Sequence, residues 1–266
     1  MERIKVLVSG ACGRMGQEVI KAVLQDPELQ LVGAVDRVQQ GKDIGEIVGI
    51  DHLGVTISDN LTEAFKVTTP QVMVDFSTPA SVMENTRLAI KTGVYGVIGT
   101  TGISPEDLDE LRALVIAHQG HLLVAPNFAI GALLMMRFAA VASKYFPSVE
   151  IIELHHDRKL DAPSGTAIKT AEMILDSRKN EGQGVIGEEK IKGVRGGEMG
   201  GIHLHSIRLP GLIAHQEVIF GGEGQTLTIR HDSMSRESFM PGVVLGIKRV
   251  MELPGLIYGL DQILFN

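Results

Sequence analysis

Residues 155–159 read His-His-Asp-Arg-Lys, and residues 163–166 read Pro-Ser-Gly-Thr. Imidazole is the side chain that titrates nearest neutrality, and a lysine can hold or release a proton. The Pro-Ser-Gly-Thr turn opens a helical pattern with Ala167, Ala171, Ile174 and Leu175 inward. A helix start presents free backbone N–H groups and a partial positive charge to an anion. Gly165 permits close approach there and Thr166 adds a hydroxyl. His156, Lys159 and Arg158 add positive charge, which suits a carboxylate-bearing substrate. One stretch, residues 153–167, thus offers an acid, a base and an anion site. No third and fourth ligand stands at metal-site spacing, so no metal is expected. Adjacent residues of a regular strand point to opposite faces. One site can therefore use both His155 and His156 only if the strand ends or twists there; otherwise one of them faces the core or a neighbouring subunit.

The elements before this stretch suggest what else the site receives. Ile4-Lys5-Val6-Leu7-Val8 reads as a buried strand. It runs into Gly10-Ala11-Cys12-Gly13-Arg14-Met15-Gly16, then a helix with Met15, Val19, Ile20, Val23 and Leu24 inward. A second strand, Leu31 to Val35, ends at Asp36-Arg37. Strand, glycine turn, helix, strand and acid make the dinucleotide-binding βαβ pattern. The glycines allow the tight turn, the approach of the pyrophosphate and close helix packing. Asp36 can accept a hydrogen bond from the adenosine ribose, which suits NADH. Arg37 can pair with the 2′-phosphate of NADPH, so dual use fits, although Arg37 alone reads equally as a solvated charge. Cys12 reads as a small residue in the turn, with no chain-local base to make it a nucleophile. Ser164 has no need to be one, because a nicotinamide supplies the reactive atom.

Strands at 71–76, 94–98 and 122–124 alternate with helices. One starts at Ser77-Thr78-Pro79 and another spans 105–117; 38–60 reads as surface loop. The expected fold class is α/β, a Rossmann-type doubly wound parallel sheet, with ligands beyond the carboxyl ends of its strands. Gly99-Thr100-Thr101-Gly102 and Ala125-Pro126-Asn127-Phe128 should therefore share the cofactor's edge. A helix over 130–145 carries Ile130, Leu134, Phe138, Val141 and Tyr145 on one stripe, with Met135 and Met136 as core or interface filler. Beyond residue 147 the pattern changes to an α+β substrate and oligomerisation domain with an open mixed sheet. Its parts are a helix from Ser164 to Ser177, a polar loop over 178–201 with a strand near 191–194, period-two runs at 203–209, 217–220 and 226–230, and a hairpin at Gly221-Gly222-Glu223-Gly224. His203 and His205 share one face and read as exposed sheet positions. A helix over 237–251 returns to the first domain. The expected division is 1–127 with 236–266, and 128–235.

Composition bounds the partners. The 266 residues carry a net charge of −7, 44% hydrophobic and 21% charged residues and a single cysteine. These values fit a globular chain with room for a core. The acidic balance argues against nucleic acid. No apolar run reaches the ~18 residues of a membrane span. With no signal peptide read at Met1-Glu2-Arg3-Ile4-Lys5, the expected location is cytoplasmic.

The stretch Glu-Leu-His-His-Asp-Arg-Lys-Leu-Asp-Ala-Pro-Ser-Gly-Thr-Ala closely resembles the signature of the dihydrodipicolinate reductase family of bacterial lysine and diaminopimelate synthesis. The likeness covers essentially the whole chain, including the turns at residues 10–16, 99–102 and 125–128. It implies NAD(P)H-dependent reduction of 4-hydroxy-tetrahydrodipicolinate, a small cyclic dicarboxylate, with loss of water. It implies cofactor contacts at Gly10, Ala11, Cys12, Gly13, Arg14, Met15, Asp36, Arg37, Gly99, Thr100, Thr101, Ala125, Pro126, Asn127 and Phe128. His155 would be the acid/base residue and Lys159 the proton donor. His156, Ser164, Gly165 and Thr166 would hold the substrate, in a homotetramer built through the second domain's sheet. Two other readings stay open from the residues alone: another Rossmann oxidoreductase of amino-acid synthesis, and a non-catalytic dinucleotide sensor. With cofactor and substrate on different domains, a hinge near residues 127–130 and 234–238 is expected.

Overall fold

The computed structural model describes residues 2–178 and 188–265. The chain divides into two compact units, Met1–Phe128 with Phe239–Asn266, and Ala129–Ser238. The divisions fall slightly later along the chain than the sequence reading places them.

The first unit opens with β1 (Ile4–Ser9), α1 (Arg14–Gln25), β2 (Leu29–Val35), α2 (Ile44–Val48), β3 (Ile57–Ser58) and α3 (Leu61–Thr68). It continues with β4 (Val72–Asp75), α4 (Val82–Thr92), β5 (Tyr95–Ile98), α5 (Pro105–His118) and β6 (Leu122–Val124). The second unit holds α6 (Ile130–Ala142), β7 (Ser148–His155), α7 (Gly165–Ser177), β8 (Gly197–Met199), β9 (Ile202–Arg208), β10 (Ala214–Gly222) and β11 (Gln225–Ser233). After a 3-10 turn the chain returns to the first unit with α8 (Met240–Arg249), β12 (Leu256–Tyr258) and α9 (Asp261–Leu264).

The first sheet has the order β12-β6-β5-β4-β1-β2-β3, and its recorded pairings are all parallel. Parallel strands are covered by helices on both faces, so they are apolar throughout. Val6, Leu7 and Val8 on β1 and Val72, Met73 and Val74 on β4 are fully buried. The order brings the carboxyl ends of β1, β2, β4, β5 and β6 to one edge. α8 packs closely because it has glycine at the contact: a Cβ on Gly242 would lie 2.1 Å from the Phe128 carbonyl oxygen.

Some local expectations in this unit need correction. Residues 38–60 are not only loop: they contain α2 and β3, with Ile44, Val48 and Ile57 buried. Asp43 caps α2 by accepting from the Gly45 N–H at 2.9 Å. These elements are too short for periodicity to mark them. The α4 helix starts at Val82, after Ser81, rather than at Ser77-Thr78-Pro79. Ser77 is instead drawn back to the Asp75 carboxylate, to which its N–H and hydroxyl donate at 3.0 and 2.7 Å.

The second sheet is mixed, in the order β11-β10-β7-β9-β8. Only the β7–β9 pairing is parallel among the described strands. α6 and α7 pack on one of its faces, where Val149, Ile151, Leu204, Val218 and Phe220 are buried. The opposite face carries the half-buried Ile152, Leu154, Ile207 and Ile219. The β10–β11 hairpin closes between Gly222 and Gln225.

Here too the details shift. On α6 the buried face is Ala132, Leu133, Met135, Met136, Ala139 and Ala140, while Phe138, Val141 and Tyr145 are exposed. The helix is apolar nearly all round, so no polar face fixes its phase, and it turns its small residues toward its neighbours. Residues 191–194 form a turn, and the strand lies later, at β8. Of the polar loop expected over 178–201, residues 179–187 lie outside the described residues. His203 and His205 are half-buried rather than exposed, and His205 Nε2 sits 2.8 Å from Glu150 Oε2.

Candidate active site

In the first unit the glycine turn leaves β1 and enters α1. Gly10 has φ +77°, and a Cβ there would lie 2.4 Å from the Phe76 carbonyl oxygen. A Cβ on Gly16 would lie 2.1 Å from the Gly10 carbonyl oxygen, so both positions exclude side chains. Gly13 stands at the N-cap of α1 without a side-chain cap, and the first turn carries no acid. By contrast, Asp43, Asn60 and Ser104 side chains cap α2, α3 and α5. The N–H groups opening α1 thus stay available to an anion. Beside this turn is a cavity of about 560 Å³, lined by Gly10, Cys12, Gly13, Asp36, Arg37 and Ser77 among others. The residues present therefore fit a dinucleotide.

Asp36 orders that turn. Its Oδ2 accepts from the Cys12 N–H at 2.9 Å and its Oδ1 from the Val38 N–H at 3.2 Å. Burial pushes the Cys12 thiol up to about 11, with the Asp36 charge adding to the effect. Cys12 is thus a protonated, unreactive thiol. Arg37 is exposed at the rim.

The turns after β5 and β6 leave the same sheet edge as the glycine turn. Thr100 donates from Oγ1 to Asp75 Oδ1 at 2.7 Å, and Asn85 Nδ2 donates to Asp75 Oδ2 at 2.8 Å. Asp75 is fully buried, so neutral donors from α4 and the turn after β5 converge on one carboxylate. Ala11, Ala125 and Phe128 are buried, while Arg14, Thr101 and Pro126 are exposed and Met15, Gly99 and Asn127 are intermediate. The Phe128 ring packs on Phe76 with centroids 5.8 Å apart.

In the second unit, β7 ends at His155, and His156 lies beyond the strand. The two imidazoles are therefore not bound to the alternation of a regular strand. Glu153 and His155, two apart on β7, share a face. His155 Nδ1 lies 2.5 Å from Glu153 Oε2. Arg208 grips the same carboxylate with both terminal nitrogens, at 2.7 and 2.9 Å. Burial would raise the Glu153 carboxyl, but hydrogen bonds from Arg208, Ser206 and His155 outweigh it and hold it below the usual range. Burial lowers His155 below its ordinary value, against the pull of Glu153. Lys159 Nζ donates to both oxygens of Asp161 at 2.8 Å, and Arg208 Nη2 donates to the Asp161 carbonyl oxygen at 2.7 Å.

This network leads into the start of α7. Ser164 is buried; its hydroxyl caps the helix by accepting from the Ala167 N–H at 3.2 Å. Its own N–H donates to Glu153 Oε1 at 3.2 Å. The N–H groups of Gly165 and Thr166 have no acceptor within the helix by its geometry. No acid stands in the first turn, and a Cβ on Gly165 would meet nothing within 4 Å. The Gly165 position is thus open. Buried His156 Nδ1 has no hydrogen-bond partner among the described residues.

The second-unit network brings together His155, Ser164 and the start of α7, with Lys159 joined to it through Asp161. The sequence reading assigned no role to Glu153, Arg208, Asp161 or Asp75. Glu153 and Asp161 lay inside the signature stretch, and the i, i+2 spacing from Glu153 to His155 was the available signal. Arg208 is 55 residues from Glu153; only the pairing of β7 with β9, in which His155 faces Arg208, brings it there.

A dinucleotide-binding unit joined to a unit that combines a held imidazole, an amine and an anion-ready helix start defines a nucleotide-dependent oxidoreductase. Family models described as the N-terminus and the C-terminus of dihydrodipicolinate reductase match residues 4–128 and 131–264. The 4-hydroxy-tetrahydrodipicolinate reductase of Desulfitobacterium hafniense is 55% identical, over 99% of this chain and 100% of its own length. That of Moorella thermoacetica is 52% identical, over 98% of each chain. A solved structure, the dipicolinate-bound dihydrodipicolinate reductase from Paenisporosarcina sp. TG-14, superposes with a TM-score of 0.88 at 46% identity, covering 98% of this chain and 99% of that one. The chain belongs to the dihydrodipicolinate reductase family, the NAD(P)H-dependent oxidoreductases of lysine and diaminopimelate biosynthesis.

Proposed function

We propose that the chain reduces 4-hydroxy-tetrahydrodipicolinate to tetrahydrodipicolinate, with the second unit handling substrate and protons. The carrying observation is the continuity of its network: His155, Glu153 and the Ser164 N–H form one hydrogen-bonded run that ends at the start of α7, where the N–H groups of Gly165 and Thr166 have no acceptor within the helix. The turn from Gly10 to Met15, with Asp36 and Arg37, would hold a reduced nicotinamide dinucleotide, which when bound would supply hydride to C4 of the ring as the 4-hydroxyl leaves as water. Hydride and one proton enter, and water leaves.

Each residue then has a task. Gly165 and Thr166 bind a substrate carboxylate through backbone N–H groups, and His156 adds a donor. The partnerless His156 nitrogen supports this role, because an orphaned buried polar atom costs roughly 1–3 kcal/mol that a ligand contact recovers. Ser164 contributes by shaping the helix start. Lys159, held by Asp161, donates the proton, and His155 exchanges one as the ring's acid/base partner. General acid–base help of this kind is worth roughly 10²- to 10⁴-fold in rate. Asp36 and Arg37 together accommodate either NADH or NADPH. The half-buried apolar row of Ile152, Leu154, Ile207 and Ile219 is the surface on which four copies associate.

The test is oxidation of NADH or NADPH that depends on freshly generated product of the preceding synthase reaction. Substrate-dependent oxidation is expected, with competitive inhibition against substrate by pyridine-2,6-dicarboxylate. Absence of turnover with both cofactors would reject the assignment.

A further inference from the structure

The inward positions of β7 are apolar at Val149 and Ile151, yet the next one is the fully buried Glu153. A buried carboxylate persists only when it is paired and hydrogen-bonded. Here Oε1 accepts from Arg208 Nη2 and the Ser164 N–H, while Oε2 accepts from Arg208 Nη1 and His155 Nδ1. An ionised carboxylate can only accept, so Nδ1 must carry a hydrogen. In a neutral imidazole that leaves Nε2 unprotonated.

Glu153 alone would also favour the imidazolium. Arg208 opposes this by taking the carboxylate's charge in a two-point grip. The charged groups acting on His155 are Glu153 on its own strand, Lys159 in the following turn and Arg208 on β9; β10 places neutral Ala214 opposite it. Glu153 attracts a proton to the ring, whereas Lys159 and Arg208 repel one.

We propose that Glu153 and Arg208 form a positioning pair for His155. Glu153 keeps the ring hydrogen on Nδ1, so that Nε2 is the nitrogen that exchanges protons. Arg208 offsets the carboxylate's charge and so limits the extra proton affinity that Glu153 lends the ring. The same pair ties the ring to the substrate's anion site, through the Ser164 N–H on Glu153 and the Asp161 carbonyl on Arg208. The inference rests on the acid/base role given to His155 above.

The test follows His155 by side-chain NMR across pH in the full-length protein without substrate, alongside kcat and KM. Glu153→Gln should move the His155 titration to lower pH. It should reduce kcat by roughly 10- to 100-fold, as when the partner that orients a functional imidazole is removed, with KM for NADH little changed. Arg208→Gln should move the titration the other way. Arg208→Lys should restore it toward wild type and recover much of kcat, which separates a charge effect from misfolding. Titrations that stay at the wild-type position in both Gln variants would overturn the pairing, whatever happens to kcat. The NMR arm needs no turnover. Opposite shifts in an enzyme that fails to reduce the substrate would leave the pair standing and remove only the activity assignment.

Discussion

The Asp75 carboxylate and the Thr100 hydroxyl lie 2.7 Å apart, joining the end of β4 to the turn after β5. Asp75 is fully buried and also accepts from Ser77 and Asn85. It therefore sets the shape of one of the turns assigned to the cofactor, without facing the cavity itself. Thr100→Val removes one donor to a carboxylate, a bond worth roughly 1.5–3 kcal/mol. We expect NADH affinity to fall about tenfold or more, with KM for the dicarboxylate little changed. Titration of NADH fluorescence checks this, and an unaltered NADH Kd would remove the turn from the cofactor site.

Gly165 has open space where a side chain would stand. Gly165→Ala adds a methyl group beside the start of α7 without meeting any neighbouring atom. KM for substrate and the inhibition constant of pyridine-2,6-dicarboxylate should both rise, with NADH binding and the melting temperature held. Unchanged substrate KM would mean that the carboxylate sits elsewhere.

Lys159→Ala should lower kcat far more than it alters NADH affinity, because the amine belongs to the second unit. Equal losses in both would reject its role as proton donor. Asp161→Asn is expected to act in the same direction and more weakly, since Asp161 holds the amine at 2.8 Å.

Cys12 should resist alkylation. With its thiol pushed up to about 11, only about a thousandth is thiolate near pH 8. Iodoacetamide labelling of the native protein, followed by mass spectrometry, should lag far behind that of the unfolded chain. Rapid labelling of the native protein would contradict a raised thiol at Cys12.

If the proposed pairing of Arg37 with a 2′-phosphate holds, Arg37→Ala should weaken NADPH more than NADH, since Asp36 is already engaged with the Cys12 and Val38 N–H groups. Parallel kcat/KM measurements with both cofactors decide it, and the reverse order would overturn the assignment.

Much of this was legible in the residue order. β1, the glycine turn, α1, β2 and Asp36 follow one another along the chain, and each has a local sequence signal. The same holds for Ser164 as the start of α7. The break between His155 and His156 could be posed as a condition from strand alternation, and β7 does end there. What sequence could not give was pairing across distance. Arg208 reaches Glu153 through the register of β7 and β9, and no spacing along the chain encodes that register. Asp75 looked like an ordinary residue of a strand over 71–76, because its role depends on Thr100 and Asn85 arriving from other elements. Which side of α6 is buried was not legible for another reason: an apolar helix gives periodicity nothing to contrast, although Met135 and Met136 do lie in the core as read.

The proposed reaction ends with hydride on C4 of the substrate ring. It is tested most directly by supplying nicotinamide cofactor deuterated at its transferable position and examining the product by NMR. One deuterium at C4 of tetrahydrodipicolinate for each cofactor oxidised is the expected result. Cofactor oxidation that leaves C4 without deuterium would contradict hydride transfer to that carbon.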